Sequence, residues 1–404
     1  MSLLDHLQAK LSAIAAQSLT RTLRTADNGT APRQRINGRE LLMFCSNDYL
    51  GLAAAPQIAE ALAEGARRWG GGSGASPLVS GHSAAHQAVT DTLAAWYAPH
   101  IPQARAIGFC TGYMANLAVV TALGDEHTEI FSEQLNHASL IDAARLAKAS
   151  VTRYPHGDLA ALRVALKAST AKVRLIVTDA VFSMDGDLAP LPELLKLAEE
   201  FDAWLVVDDA HGFGVLGDKG RGSLEHFGLH SERLILVGTL GKAAGLAGAF
   251  VAAHATIVNY LLQAARNFIF STASPPAVEH ALLTSFALIE GPLGRQRRAH
   301  LVALQAQLRD GLLALIDRHP GLGWQLTDSA TPIQPLIVGG NAEVMALAAA
   351  LEGAGLRVPG IRPPTVAAGT ARLRITLCAT HTAADVDALL TALERATAAQ
   401  ELAA

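Results

Sequence analysis

The stretch WLVVDDAH, residues 204–211, joins a short apolar run directly to two acids and a histidine. The stretch LILVGTLGK, residues 234–242, joins a similar run to a threonine and a lysine, and the run LIVT, residues 175–178, is followed by Asp179 and Ser183. Short runs of Val, Leu and Ile of this kind predict buried strands of a parallel sheet. Because ligands bind at the carboxyl ends of such strands, the polar residues after the three runs predict a single site.

The sequence around these runs has the organisation of an α/β protein. Between about residues 45 and 290, strand-like runs alternate with helical patterns, which predicts βαβ units and a mainly parallel sheet. After Gly291 the pattern changes to a long helix, two strands and a final helix, which predicts a smaller α+β domain. We therefore expect an N-terminal helix and arm in residues 1–45, a large domain in residues 46–290 and a small C-terminal domain in residues 291–404.

The beginning of the chain predicts an amphipathic helix. Leu4, Leu7, Leu11 and Ile14 recur at helical spacing, so we expect residues 1 to about 25 to form a helix that lies on a larger body.

Composition restricts the class of protein. The 404 residues are 50% hydrophobic and 17% charged, with a net charge of −4, which excludes a disordered chain. Lys and Arg are scattered, so no nucleic-acid or anionic membrane surface is expected, and the three distant cysteines predict no metal site or disulfide framework. The apolar segment 243–265 contains His254, Asn259 and Gln263, and we interpret it as a strand plus a helix rather than a membrane span. A cytoplasmic protein is expected.

The polar residues at the strand ends are those that a pyridoxal 5'-phosphate (PLP) site requires. Lys242 offers an amine for an imine, Asp208 offers a carboxylate for the pyridine nitrogen, and Gly112 opens a helical pattern whose N–H groups would hold a phosphate. Taken singly, Asp208 would be a turn or cap residue and Lys242 a solvated loop lysine. Their arrangement at successive strand ends favours the cofactor site.

A dinucleotide site is a competing interpretation that the sequence does not favour. Residues 212–217 match GxGxxG, but further glycines follow where a dinucleotide fingerprint requires a helix.

Along nearly its whole length the chain resembles the α-oxoamine synthases of the fold-type I PLP-dependent transferases. The stretches that carry the resemblance are residues 46–52, 70–81, 136–139, 182–187, 208–212 and 239–242. The resemblance implies a large mainly parallel-sheet domain with a smaller α+β C-terminal domain, and an acyltransferase that joins an amino acid to an acyl thioester with loss of carbon dioxide.

The resemblance also implies roles for individual residues. Lys242 would hold PLP covalently and act as a base, His137 would stack on the pyridine ring, Asp208 would pair with the ring nitrogen, and His211 would bond the phenolic oxygen. Lys242, His137 and Asp208 are then the catalytic candidates. The remaining cofactor candidates are Gly112, Tyr113, Ser183 and Thr239, and the substrate candidates besides His137 are Arg21, Asn47, Arg362 and Thr365.

Within the family, residues 80–87 and 361–374 are most similar to the members that condense L-alanine with pimeloyl-CoA or pimeloyl-ACP in biotin synthesis. Glycine C-acetyltransferase, 5-aminolevulinate synthase and a non-catalytic PLP-binding protein remain alternatives. The family also implies a homodimer with its active site at the subunit interface, where residues 270–274 would reach the neighbouring subunit's phosphate.

Overall fold

The structure is a computed structural model that describes residues 2–16 and 19–401. The helices are α1 (Leu3–Ala16), α2 (Pro56–Trp69), α3 (Ala84–Tyr97), α4 (Gly112–Leu123), α5 (Ala138–Leu146), α6 (Leu159–Ala168), α7 (Leu191–Glu200), α8 (Ser223–His226), α9 (Ala255–Ala264), α10 (Arg266–Ile269), α11 (Pro276–Glu290), α12 (Pro292–Arg318), α13 (Asn341–Gly353) and α14 (Ala383–Glu401). The strands are β1 (Arg33–Ile36), β2 (Arg39–Met43), β3 (Ala104–Phe109), β4 (Thr128–Glu133), β5 (Ser150–Tyr154), β6 (Val173–Asp179), β7 (Trp204–Asp208), β8 (Leu234–Thr239), β9 (Ala249–His254), β10 (Gln325–Leu326), β11 (Ile333–Gly339), β12 (Leu356–Arg357), β13 (Gly360–Ile361) and β14 (Ala371–Thr376).

A seven-stranded sheet in the order β3-β9-β8-β7-β6-β4-β5 forms the centre of the molecule. Strands β4 to β8 pair in parallel, and β9 pairs antiparallel with both β8 and β3. The α/β class and the mainly parallel sheet predicted from the sequence are therefore confirmed. The apolar runs 175–178, 204–207 and 234–237 lie in β6, β7 and β8, which are adjacent in the sheet.

The central strands carry continuous apolar runs because both faces of the sheet are covered. Leu205 and Val207 of β7 belong to one core cluster, whereas Val206 between them belongs to the cluster on the opposite face. Alternate side chains of a strand point to opposite faces, so a strand covered on both sides reads as a continuous apolar run. The same burial leaves water access only at the strand ends, where the polar residues stand.

The C-terminal part of the chain contributes a second, antiparallel sheet. Its order is β10-β11-β14-β13, α13 packs against β11, β13 and β14, and α14 packs against both α12 and α13. A third sheet, β1-β2-β12, joins the arm after α1 to the C-terminal part, since β12 pairs in parallel with β2. The domain boundaries expected at residues 45 and 290 stay a prediction.

The expectation for the start of the chain is wrong in two respects. Helix α1 ends at Ala16, and residues 19–25 have no helical structure. No residue of α1 is buried, and Leu3 and Leu4 are 71% and 77% exposed, so its apolar stripe does not lie on the rest of this chain. Periodicity predicts which face of a helix is apolar, but it does not say what covers that face.

The apolar segment 243–265 contains β9 and α9, as expected. Among the described residues, no helix is both long and apolar enough to cross a membrane.

Candidate active site

Lys242 stands just beyond the carboxyl end of β8, beside the polar residues that follow β7. Its Nζ lies 2.9 Å from Nε2 of His211. Burial and the positive charge of Arg374 lower the Lys242 pKa to about 8, against the opposing effect of the Asp208 and Asp179 carboxylates. An amine with this pKa is partly neutral near physiological pH and is therefore able to act as a base or nucleophile.

His211 connects Lys242 to a second group of polar side chains. Its Nδ1 lies 2.5 Å from the Tyr49 hydroxyl, and that hydroxyl donates to Oδ1 of Asn47 over 3.3 Å. Burial and the neighbouring positive charge of Lys242 hold the pKa of His211 well below its usual value. His211 is therefore a neutral imidazole, and it transmits hydrogen bonds without adding charge beside Lys242.

Arg374 completes this group and is not among the residues predicted from the sequence. It lies on β14, is 6% exposed, and its Nη1 and Nη2 each donate to Oδ1 of Asn47 over 3.3 Å. Its Nε donates to the carbonyl oxygen of Ser183 over 2.5 Å. The signal in the sequence was a pair of arginines, Arg372 and Arg374, at alternate positions of an otherwise apolar strand. Their burial depends on partners from distant segments, and the sequence does not show these partners.

Asp208 and Asp179 end the adjacent strands β7 and β6, where they are register partners. Oδ1 of Asp208 accepts from the N–H of Ala210 over 2.9 Å, and Oδ2 accepts from Nδ2 of Asn116 over 2.6 Å. Burial and the charge of Asp208 raise the Asp179 pKa well above its usual value. These effects favour a neutral Asp179, because two buried like charges repel each other.

His137 caps the N-terminus of α5 at the same edge of the sheet. Its backbone N–H donates to Oδ2 of Asp179 over 2.6 Å, and its Nδ1 accepts from the N–H of Ser139 over 3.2 Å. The side chain of His137 is exposed in the described chain. The cap thus holds an open imidazole beside the two acids.

The N-terminus of α4 forms a separate corner of the site. The Thr111 side chain caps this helix by accepting from the N–H of Met114, and a Cβ atom on Gly112 would come within 3.6 Å of Thr239. The first N–H groups of a helix have no partner within the helix and attract anions. The Tyr113 hydroxyl donates to Asp142 over 2.7 Å, so a contribution of Tyr113 to an anion site would come from its backbone N–H.

The remaining substrate candidates are Arg21, Arg362 and Thr365. Arg21 is exposed in the segment after α1, and no hydrogen bond joins it to another described residue. Arg362 is half-buried on the loop after β13, where its carbonyl oxygen accepts from the N–H of Thr365. These three residues lie on segments outside the central sheet, so their distance from Lys242 depends on how those segments pack.

Comparison with known proteins agrees with this geometry. A family model described as aminotransferase class I and II matches residues 39–393. The chain belongs to the class I and II aminotransferase family. It is 63% identical to 8-amino-7-oxononanoate synthase 2 of Polaromonas sp. (strain JS666), over 99% of this chain and 100% of that protein.

Two solved structures are similar to the whole fold. A structure described as SPT with a PLP internal aldimine has a TM-score of 0.89 and 28% identity, and covers 99% of both chains. The 8-amino-7-oxononanoate synthase of Francisella tularensis has a TM-score of 0.74 and 30% identity, and covers 89% of this chain and 99% of that one. The predicted fold-type I class and the PLP cofactor are confirmed by these similarities.

The residues present fit the PLP cofactor of this aminotransferase family. The cofactor has an aldehyde for an amine, a pyridine nitrogen that requires an acid, and a phosphate. The site offers the Lys242 amine with a lowered pKa, the buried Asp208 carboxylate held by two donors, and the open helix N-terminus at Gly112 with Thr239 beside it. The donor set therefore covers the three polar ends of the cofactor.

Proposed function

We propose that this protein condenses L-alanine with a pimeloyl thioester, of CoA or of acyl carrier protein, to give 8-amino-7-oxononanoate, carbon dioxide and the free thiol. The observation that supports this function most strongly is the placement of Lys242 against His211, Asp208 and Arg374 in a chain with 63% identity to an 8-amino-7-oxononanoate synthase. We propose the same roles for the individual site residues as the resemblance implied, with Arg374 added.

Bound at this site, PLP supplies an electron sink that makes the α-hydrogen of an amino acid acidic. The Lys242 amine is the base for that hydrogen, because its pKa of about 8 leaves part of it neutral at physiological pH. The carboxylate of Asp208 would keep the pyridine nitrogen of the bound cofactor protonated. Replacement of this carboxylate by a neutral amide would remove the reason for the proton to stay there.

Arg374 is the side chain that we assign to the carboxylate of alanine. A guanidinium offers a planar pair of donors that match a carboxylate, and such pairs are stronger than neutral hydrogen bonds. Its two Nη contacts to one Asn47 oxygen, both 3.3 Å, are long, and a substrate carboxylate would compete with them effectively. Asn47 would then take part in substrate binding through Arg374.

Binding of the acyl thioester is the part that we assign to Arg362 and Thr365. Both residues lie on the loop between β13 and β14, and β14 is the strand that contains Arg374. The carboxylate at the far end of a pimeloyl chain is a suitable partner for a guanidinium such as that of Arg362, whereas an acetyl group has no such carboxylate.

We also propose a cytoplasmic homodimer in which each site takes residues from both subunits. Val79 and Phe270 are 84% and 72% exposed, which is unusual for large apolar side chains. They are next in sequence to Leu78 and Ser271, which together with Thr272 and Ser274 line a pocket of about 520 Å³ along the edge strand β3. A second subunit would cover this edge. Residues 270–274 of one subunit would then reach the phosphate-binding corner of the other.

A serine palmitoyltransferase is the second candidate, since the SPT fold matches this chain with the higher TM-score. The test pairs alanine, glycine and serine in turn with acetyl-, succinyl-, palmitoyl- and pimeloyl-CoA. The release of free thiol measures the rate of each reaction. The proposal requires alanine with pimeloyl-CoA to have the highest kcat/KM. A preference for serine with palmitoyl-CoA, or for glycine with acetyl- or succinyl-CoA, would refute it.

A further inference from the structure

A buried polar chain joins Asp208 to His137 through Asn116 of α4 and Ser139 of α5. The side chains of Asn116 and Ser139 are 1% and 0% exposed. Nδ2 of Asn116 lies 2.6 Å from Oδ2 of Asp208 and 2.8 Å from Oγ of Ser139, and Ser139 Oγ lies 2.7 Å from Nδ1 of His137. Two helices and one strand end are thus connected by three consecutive short hydrogen bonds.

The orientation of the Asn116 amide follows from Asp208. Both hydrogens of Nδ2 are used, whereas the buried Oδ1 has no hydrogen-bond partner in the described chain. Rotation of the amide would place Oδ1 2.6 Å from a carboxylate oxygen, where two acceptors repel each other. Oδ1 of Asn116 therefore stays unpaired, while Nδ2 of Asn116 donates to both Asp208 and Ser139.

This orientation also fixes the protons farther along the chain. Since Ser139 Oγ accepts from Asn116, its own hydrogen is directed to Nδ1 of His137. The backbone N–H of Ser139 points to the same Nδ1 over 3.2 Å, and a backbone N–H is always a donor. Nδ1 of His137 is therefore an acceptor, and a neutral imidazole in this position carries its proton on Nε2.

We propose that Asn116 and Ser139 are positioning residues that hold His137 in the Nε2–H tautomer and link this tautomer to the side chain of Asp208. The tautomer follows from the hydrogen bonds alone, and its consequence for the reaction rests on the proposed function. Nε2 of His137 has no partner among the described residues, and the ring is exposed. It is thus placed to donate to substrate, and the matching acceptor is a carbonyl oxygen that gains negative charge.

The opposite tautomer would impair that role. An unprotonated Nε2 is an acceptor and would repel a developing oxyanion. Loss of the Ser139 hydroxyl leaves only the longer N–H contact on Nδ1, so both tautomers become populated. The same loss makes protonation of Nδ1 easier, and the pKa of His137 then rises.

The direct test is a long-range proton–nitrogen NMR correlation on the PLP-loaded enzyme with ¹⁵N-labelled histidine rings. The signals of His137 are those that are missing from the spectrum of His137→Asn. We expect a pyridine-type shift for Nδ1 and a pyrrole-type shift for Nε2. Ser139→Ala should move both shifts towards their average. Ser231→Ala is the matched control, because Ser231 is also a buried hydrogen-bonded serine but precedes the amino end of β8. A protonated Nδ1 in the unmutated enzyme, or unchanged shifts in Ser139→Ala, overturns the proposal.

A kinetic measurement completes the test. Ser139→Ala should lower kcat for alanine with pimeloyl-CoA by about 10- to 100-fold, below the full range of acid–base catalysis, with the KM for alanine changed by less than about twofold. Ser139→Thr keeps the hydroxyl and should recover most of kcat. An equal loss in Ser139→Thr and Ser139→Ala, with no change in tautomer, would assign Ser139 a packing role only. An Nε2–H tautomer in an enzyme that fails to condense alanine with pimeloyl-CoA would support the positioning assignment and refute the proposed function.

Discussion

The lowered pKa of Lys242 predicts that replacement of this lysine stabilises the cofactor-free protein. In the native structure the pKa of Lys242 is lowered from 10.5 to about 8, so the folded chain binds the proton less tightly than the unfolded chain. Each pKa unit is worth about 1.4 kcal/mol, which makes the destabilisation about 3 kcal/mol at pH 7. The penalty is fully present below pH 8 and disappears as the pH rises through 10.5.

Lys242→Met removes this penalty because methionine has a similar unbranched side chain and no charge. The free energy of unfolding should rise by about 3 kcal/mol at pH 7, and the gain should shrink to about 1 kcal/mol at pH 10. Urea unfolding of the cofactor-free proteins, at one protein concentration and at pH 7, 8, 9 and 10, measures the difference. Catalytic turnover of Lys242→Met should be lost at every pH.

The matched control is Lys196→Met, which replaces an exposed lysine of α7. It should show no comparable gain and no trend with pH. The reasoning would be refuted by a Lys242→Met protein that is no more stable than the unmutated one at pH 7. A gain of the same size at every pH would refute it as well, because packing alone would then explain the change.

Three substitutions test the other parts of the site, and a fourth tests the pH dependence of a histidine paired with two carboxylates. Asp208→Asn should retain PLP but slow the exchange of the alanine α-hydrogen with deuterated solvent by at least about 100-fold, and undiminished exchange would make Asp208 a structural cap. Arg374→Ala should raise the KM for alanine by about 10- to 100-fold, a loss of roughly 1.4–2.8 kcal/mol of binding, and an unchanged KM would contradict the carboxylate assignment. Arg362→Ala should lower kcat/KM for pimeloyl-CoA by about 10- to 100-fold, while a purely structural role would lower the melting temperature and leave acyl selectivity unchanged. His156 bonds two carboxylates that raise its pKa to about 10. The contribution of this pairing to the stability of the fold is therefore full below about pH 6.5 and is lost as the pH rises through 10. The melting temperature of His156→Gln should accordingly lie further below that of the unmutated protein at pH 6 than at pH 10.

The sequence by itself determined the central sheet and the location of the site. Strands β6, β7 and β8 are buried on both faces, so their apolar runs are continuous, and each run ends where the chain leaves the core. Because the strands are parallel, the polar residues at those ends lie together at one edge of the sheet. Lys242, Asp208 and His211 could therefore be predicted together, because their neighbourhood depends on local pattern and strand order.

Only the tertiary structure decided the contacts between segments far apart in the chain. Arg374 reaches the site because β14 brings it against Asn47, which is 327 positions away, and no local pattern encodes such a contact. The chain from Asp208 to His137 likewise depends on α4 and α5 meeting β7, and the direction of its protons follows from distances of 2.6–2.8 Å between their side chains. Burial makes these distances decisive, because a buried polar group has no water to replace a missing partner.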